Sequence, residues 1–355
     1  MKISFVIGRI KGGGAERVVC NLANCFVELN CSVEIVTFHS SESYGLDERI
    51  KIYNLDKKQE INKVFSKIKK YFSLKKYMSH TSSDIIVAFL PVEICLCSHF
   101  RKCTNAKLVI SERNDPSTYP RIIKRLLKYY AARVDGMVFQ TEDAKSWYKD
   151  IKIKNTDVIQ NPLPKGFVSR VNVRRNQNGD IVGIGRLSEQ KNWELLINAY
   201  SRLAPQYQRN NLVIYGEGEK KQELEMLCKM LKIENKVEFP GFVDNIQEVL
   251  ENASMFILPS KYEGLPNALV EAMALGVPCI ATDCPVGGPR SLIKSGVNGI
   301  LINNNSVEQL SDSIQKFIEN DSLADLCGKN ALGISKQLDP VFIANKWLLF
   351  FKSVE

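Results

Sequence analysis

Residues Ser254–Thr282 read SMFILPSKYEGLPNALVEAMALGVPCIAT. The apolar run Met255–Leu258 ends at Pro259, as expected of a short strand buried on both faces. A loop follows, and a helix opens with Pro266 and Asn267 in its first turn. It stops at Gly276, with Pro278 beyond: proline just inside the start and glycine just past the end. A second apolar run, Pro278–Ala281, comes next. Strand, loop, helix and strand in that order form a crossover unit, which joins parallel strands.

The same alternation extends in both directions. Upstream in the second half it predicts strands at Ile181–Ile184, Asn211–Tyr215 and Val237–Phe239, with helices near Asn192–Leu203 and Lys220–Leu231. In the first half it predicts strands at Lys2–Ile7, Ser32–Phe38, Asp84–Phe89, Leu108–Ser111, Gly136–Phe139 and Thr156–Gln160, and a helix from about Ala15 to Leu29. The pattern breaks at Asn161-Pro-Leu-Pro and the polar stretch Arg174–Asp180, where a linker is expected. The chain therefore reads as two α/β domains, residues 1–165 and 166–339, without a sequence repeat between them. The apolar segment Pro340–Phe351 within 340–355 has helical spacing. It fits either a helix packing back across the domain junction or an ordinary C-terminal core helix.

Composition excludes several classes. Of 355 residues, 45% are hydrophobic and 25% charged, with 21 Gly and 13 Pro, the balance of a globular protein rather than a disordered or fibrous one. No apolar run approaches the ~18–20 residues that cross a bilayer, and MKISFVIGRI reads as a buried first strand rather than a signal peptide. Ten cysteines form no C-x-x-C pair, and the three histidines are not clustered. Reduced thiols and no structural metal are expected. The net charge of +9 is uneven: residues 1–165 carry 28 Lys and Arg against 17 Asp and Glu, an excess of +11, and the remainder carries 20 against 22, or −2. An N-terminal half so charged is suited to something anionic.

Three loops carry candidate chemistry. Gly8-Arg-Ile-Lys-Gly-Gly-Gly-Ala-Glu-Arg17 leaves the first strand and opens the first helix, where free N–H groups and the helix dipole favour an anion. A dinucleotide fingerprint needs a third glycine where Arg17 stands, and an acid after the second strand, where His39 stands. No phosphate-binding G-x-x-x-x-G-K-[ST] loop occurs. Gly185-Arg186-Leu187-Ser-Glu-Gln-Lys191-Asn192 directly follows a strand, and its two cations can clamp a diphosphate and stabilise it as a leaving group. Glu263 precedes the helix of the opening segment, where a carboxylate can accept hydrogen bonds from sugar hydroxyls. Glu271, eight residues on, can reach a ribose or face solvent, but its neighbours Leu269, Val270, Ala272 and Met273 leave little polar face there.

Together GGGAER, GRLSEQKN, the Tyr215–Glu219 turn, Pro240–Asp244 and above all Glu263–Glu271 (E-x7-E) resemble the retaining GT-B glycosyltransferases of family 4 over nearly the whole chain. The resemblance implies an α/β, GT-B fold of two Rossmann-like domains facing across a cleft. It implies Arg186 and Lys191 on the donor diphosphate and Glu263 on the hexose, the three residues expected to carry catalysis. Donor-binding positions would be Gly13, Gly14, Gly185, Phe242, Val243, Gly264, Leu265, Asn267 and Glu271, with Glu271 on the ribose and the backbone near Phe242 and Val243 on the base. Cys284-Pro-Val-Gly-Gly-Pro-Arg-Ser resembles members that assemble bacterial surface polysaccharides. Many relatives have a histidine where this chain reads Ser111–Pro116, so Glu112, Arg113 and Asn114 stand as acceptor-side candidates without that histidine's role.

The stretch Lys57–Met78 holds eight lysines against Glu60. Ile61, Val64, Phe65, Ile68 and Phe72 recur at helical steps, which fits an interfacial helix on an anionic membrane or a helix packed on the sheet with a solvated face. It has no nucleic-acid motif around it. The expectation is a transferase moving a hexose or N-acetylhexosamine from a nucleoside diphosphate sugar, UDP-linked, to a lipid-linked glycan, with no cofactor. It would work in the cytoplasm, peripherally, at the inner membrane face. The missing D-x-D pair implies metal independence, with front-face attack assisted by the diphosphate. A nucleotide-sugar epimerase on the same scaffold, or a non-enzymatic basic membrane- or RNA-binding protein, are the alternatives.

Overall fold

A computed structural model describes every residue except 11–12, 40–44, 57–62, 168–175, 209 and 355, and only the backbone of 63–65. The chain divides into two compact units, Met1–Pro162 with Leu338–Glu355, and Leu163–Gln337. Each is built on one parallel sheet.

The first unit contains β1 (Lys2–Ile7), β2 (Ser32–Thr37), β3 (Lys51–Asn54), β4 (Ile85–Phe89), β5 (Lys107–Ser111), β6 (Gly136–Phe139) and β7 (Thr156–Val158). Its helices are α1 (Gly14–Glu28), α2 (Lys63–His80), α3 (Pro91–His99), α4 (Arg121–Ala131) and α5 (Glu142–Ser146). The strand order is β3-β2-β1-β4-β5-β6-β7, with Ile3 opposite Val33 on one side and Ile85 on the other. All of β4, IIVAF, is buried, as a parallel strand covered on both faces must be.

The second unit contains β8 (Ile181–Ile184), β9 (Leu212–Tyr215), β10 (Val237–Gly241), β11 (Met255–Leu258), β12 (Cys279–Asp283) and β13 (Ile300–Asn303), in the order β10-β9-β8-β11-β12-β13. Around it lie α6 (Trp193–Ser201), α7 (Lys221–Met230), α8 (Ile246–Glu251), α9 (Asn267–Ala274), α10 (Gly288–Leu292), α11 (Val307–Glu319), α12 (Asp321–Ala331) and α13 (Ile334–Gln337). Trp193, Tyr200, Phe256 and Phe317 are its largest fully buried side chains.

The last helix, α14 (Pro340–Val354), belongs to the first unit. Phe351 packs 5.9 Å from Phe26 of α1, and Trp347 lies 6.4 Å from Phe89 of β4. Gly136 opens β6 where Phe350 and Val354 leave no room for a Cβ, so α14 lies directly on the sheet. Burying rings of this size stabilises the unit by about 2–3 kcal/mol each.

Both sheets share one feature that places ligands. Strand order reverses between β1 and β4 in the first and between β8 and β11 in the second. At such a switch point adjacent crossovers diverge to opposite faces, leaving a crevice beyond the carboxyl ends of the strands.

Candidate active site

The loop after β8 is braced from three sides. Trp193, fully buried at the start of α6, lies against Gly183, where a Cβ would come within 2.5 Å of its ring. Its Nε1 donates to the Arg186 carbonyl at 3.0 Å. The Leu187 N–H donates to the Glu217 carbonyl and its carbonyl accepts from the Lys220 N–H. Asn192, in the left-handed region at φ 53, stands just before the helix and turns its side chain away from it, Nδ2 donating to Asn305 Oδ1 at 3.0 Å. The result is a fixed loop that leaves Arg186 exposed and carries the Lys191 stem across Gly185, whose hypothetical Cβ would meet Lys191 Cε at 2.9 Å.

The loop after β11 meets it at the switch point. Glu263 N–H donates to the Pro285 carbonyl at 2.6 Å, and its own carbonyl accepts from the Val286 N–H at 3.0 Å, tying this loop to the one after β12. Glu263, 6% exposed, accepts from Lys191 Nζ at 2.6 Å and from Ser260 Oγ at 2.7 Å on the same oxygen, Oε1. Gly264 and Leu265 are buried, and Gly288 packs so closely on the Gly264 carbonyl that no side chain fits between the loops. Burial holds the adjacent Cys284 thiol up at about 12, so it stays protonated.

Helix α9 spans Asn267–Ala274 and is followed by Gly276, whose φ of +72 lies in the left-handed region that favours glycine. Glu271 within it is fully buried, which settles its face: it does not look into solvent. Phe242, at the end of β10, is 63% exposed beside a half-buried Val243.

In the first unit, Gly13 caps α1 without a side chain and Gly14 starts the helix, with Lys11 and Gly12 outside the described residues. Glu112 and Arg113, after β5, are turned inward. Glu112 accepts from Tyr119 and Tyr148 hydroxyls at 3.0 and 3.3 Å and from the Arg113 and Asn114 amides. Burial pushes its carboxyl up. Arg113 Nη1 donates to Asn161 Oδ1 at 2.7 Å, and its guanidinium lies 4.6 Å from the Phe89 ring and 5.7 Å from Trp347. Of the three acceptor-side candidates, Asn114 alone is partly exposed.

Residues 167–333 match the family model of the glycosyl transferases group 1, and residues 12–164 that of glycosyltransferase family 4. A glycosyltransferase of Haemophilus influenzae is 31% identical over 334 residues, covering 91% of this chain and 92% of that one. The chain is a family 4 glycosyltransferase. An N-acetyl-D-galactosaminyltransferase of Campylobacter jejuni, named for a GalNAc-containing undecaprenol diphosphate substrate, is 28% identical over 361 residues, 100% of this chain and 99% of that one. Among solved structures, Anabaena HepE in complex with UDP-glucose superposes with a TM-score of 0.84 at 20% identity, covering 99% and 100% of the two chains. TarM of S. aureus, solved with UDP and other ligands, gives 0.82 at 18% identity over 99% of each chain. These neighbours share the GT-B architecture.

The glycosyltransferase brings Arg186, Lys191 and Glu263 to one switch point. Its basic N-terminal surface differs from the sequence expectation in two ways. Lys70 is not part of any solvated face: it is 9% exposed, with Nζ 3.4 Å from Asp56 Oδ2 and 3.2 Å from His39 Nδ1. Burial and the Lys70 charge lower the His39 imidazole. Ile68 and Phe72 of α2 are 49% and 59% exposed, and Leu74, Tyr77 and Met78 are the buried side of the helix; Ile61, Val64 and Phe65 lie outside the described side chains. The sequence reading also passed over α4. This helix has Arg121, Lys124, Arg125 and Lys128 with no acid, and its Ile122 and Tyr129 are 68% and 53% exposed. Its strong alternation of cations and apolar residues was the available signal. The Tyr71 hydroxyl of α2 and the Tyr130 hydroxyl of α4 both bond His99 of α3, at 3.1 and 3.4 Å, which links the two basic helices. Among the described residues no group of three or more His, Cys, Asp or Glu could hold a metal ion, and no helix is long and apolar enough to cross a membrane.

Proposed function

We propose that this glycosyltransferase moves a hexose or N-acetylhexosamine from a uridine-linked nucleoside diphosphate sugar to a lipid-linked glycan, with retention at the anomeric carbon. The observation that carries the reading is the Lys191–Glu263 pair at the β8/β11 switch point, on loops braced from both sides. Lys191 exchanges its carboxylate partner for a phosphate oxygen when the donor binds, and Glu263 then accepts from hexose hydroxyls. Arg186, exposed on the same loop, supplies the second cation. As the anomeric C–O bond breaks, charge grows on the departing diphosphate, and fixed cations stabilise that charge more than the ground state. The acceptor hydroxyl attacks from the face the diphosphate leaves, and its proton passes to the departing phosphate oxygen. No protein nucleophile takes part, and the cations act in place of a metal.

The Campylobacter relative, with its undecaprenol diphosphate substrate, supports the lipid-linked acceptor, and the UDP complexes of the structural neighbours support the base. Exposed cations and apolar residues on α2 and α4 support peripheral attachment to the anionic inner face of the membrane. A panel of nucleotide sugars incubated with an undecaprenyl-diphosphate-linked oligosaccharide tests the reading by mass spectrometry, with the anomeric coupling of the product read by NMR. Transfer with retention in excess chelator is expected. Donor interconversion without acceptor would make the protein an epimerase, and vesicle binding with no donor turnover would make it an adaptor.

A further inference from the structure

Two side-chain donors reach the Glu263 carboxylate, and they differ in their freedom to leave it. Lys191 Nζ, 2.6 Å from Oε1, ends a long side chain that is 17% exposed, on the loop that follows β8. Ser260 Oγ, 2.7 Å from the same oxygen, is fully buried just past the end of β11. On the reading above Lys191 turns to a phosphate oxygen when the donor enters. Ser260 cannot follow, because the Thr282 hydroxyl of β12 donates to its carbonyl at 2.5 Å and anchors it to the sheet.

The main chain between Ser260 and Glu263 is fixed as well. The Lys261 N–H donates to the Gln190 carbonyl at 2.8 Å, and Gln190 Nε2 donates to the Tyr262 carbonyl at 3.0 Å. The Glu263 N–H and carbonyl are bonded in turn to Pro285 and Val286. What remains free at Glu263 is rotation of the side chain, and a carboxylate on such a stem follows its strongest partner. With Lys191 as its single donor it would swing with the ammonium group toward the diphosphate. A second, immobile donor on Oε1 holds it back. Among the described residues both donors meet Oε1, so Oε2 is left to accept from a ligand hydroxyl.

We propose that Ser260 is the positioning residue that keeps Glu263 aimed at the transferred sugar once Lys191 has turned to the diphosphate. The inference rests on the glycosyl-transfer reading above. Ser260 touches neither sugar nor phosphate and acts through the orientation of one carboxylate, so its effect is confined to ligands that carry a hexose.

Isothermal titration of the full-length protein with UDP and with UDP-glucose, UDP-GlcNAc and UDP-GalNAc decides the matter. Ser260→Ala should bind UDP like the parent and the preferred nucleotide sugar roughly 10-fold more weakly, the loss expected when a hydrogen bond to a charged group is removed. Ser260→Cys, close in shape but a weaker donor, should fall between the two. In a Glu263→Ala background the Ser260→Ala change should cost no further affinity, because no carboxylate is left to aim. Equal weakening of UDP and nucleotide sugar by Ser260→Ala overturns the proposal, since a general loosening of the loop has that effect. An undiminished second loss in the Glu263→Ala background overturns it too. If Ser260→Ala does not fold, Ser260→Cys carries the same comparison of UDP with nucleotide sugar. A parent that binds no nucleotide sugar, or a Glu263→Ala protein that binds them as the parent does, would instead be the failure of the donor reading, and the role of Ser260 would fall with it.

Discussion

Lys191 Nζ lies 2.6 Å from Glu263 Oε1 across 72 residues of chain, and Ser260 Oγ donates to that same oxygen at 2.7 Å. The two side chains are 17% and 8% exposed, so each is the other's principal counter-charge. The pair therefore stabilises the loops that carry it, and on the proposed reading it is also the group that must rearrange when a donor enters. Arg186 is exposed, so only the proposed donor role, and no part in holding the loops together, falls to it.

Arg186→Ala and Lys191→Ala should accordingly lose activity alike and stability unequally. On the proposed assignment each removes charge that stabilises the departing diphosphate, worth ~10²-fold or more in kcat/KM. Removing Lys191 also leaves Glu263 buried without a cation, at a cost of about 3 kcal/mol. Thermal unfolding should show a lower Tm for Lys191→Ala and an unchanged one for Arg186→Ala. Full transfer activity in folded Arg186→Ala would sink the diphosphate assignment.

Gly185→Ala isolates the position of Lys191 from its charge. The added methyl would stand 2.9 Å from Lys191 Cε and 3.3 Å from the Trp193 ring, and the lysine stem is the part free to move. Displacing it should raise the donor KM by roughly 10-fold, with an ion pair still available to Glu263 and a small loss of Tm. Isothermal titration with the nucleotide sugar reads the affinity directly; an unaltered donor affinity would mean that Lys191 does not touch the diphosphate.

Much of this arrangement is legible in the residues themselves. The opening segment announced β11, α9 and β12 because buried parallel strands are continuous apolar runs and Pro266 and Gly276 bracket the helix. The short edge strands β3 and β13 were missed for a physical reason: KIYN is half polar and largely exposed, and ILIN is only partly buried, so neither has the pattern of a central strand. Lys191 and Glu263 could be named separately, but their pairing depends on tertiary placement that spacing does not encode. Lys70 was indistinguishable from its seven neighbours in the lysine stretch until Asp56 and His39 were seen around it. Glu93 sits in PVEICLCSH, an apolar context that gave no sign of a buried acid.

Glu93 also makes a prediction about stability alone. Its folded carboxyl titrates near 7 and the unfolded one near 4.5, so the folded state holds its proton more tightly. The sign follows: relative to a neutral side chain, Glu93 costs nothing below about 4.5, and the cost grows as pH rises, levelling off above 7 at on the order of 1–3 kcal/mol. Glu93→Gln should thus match the parent in Tm at the acid end and exceed it at about pH 8. A Tm difference independent of pH would mean that this carboxyl is not strained by its burial.

The last prediction separates the lysines that face solvent from the one that does not. Lys67, Lys75 and Lys76 of α2 and Arg121 and Arg125 of α4 are exposed, near the exposed apolar residues Ile68, Phe72, Ile122 and Tyr129. Each cation near an anionic surface contributes about 1 kcal/mol, an attraction screened as the Debye length falls from ~10 Å at 0.1 M salt to ~3 Å at 1 M. The parent should co-sediment with phosphatidylglycerol-containing vesicles at low salt and dissociate at high salt. Replacing these five residues by Gln should abolish co-sedimentation while sparing transfer to a soluble acceptor analogue. Lys70→Gln should do the reverse: vesicle binding persists, because Lys70 is buried, and Tm falls, because Asp56 loses the cation 3.4 Å away. If the five-residue variant still binds vesicles like the parent, these helices are only solvated faces of the sheet, and the membrane attachment proposed for the first unit is wrong.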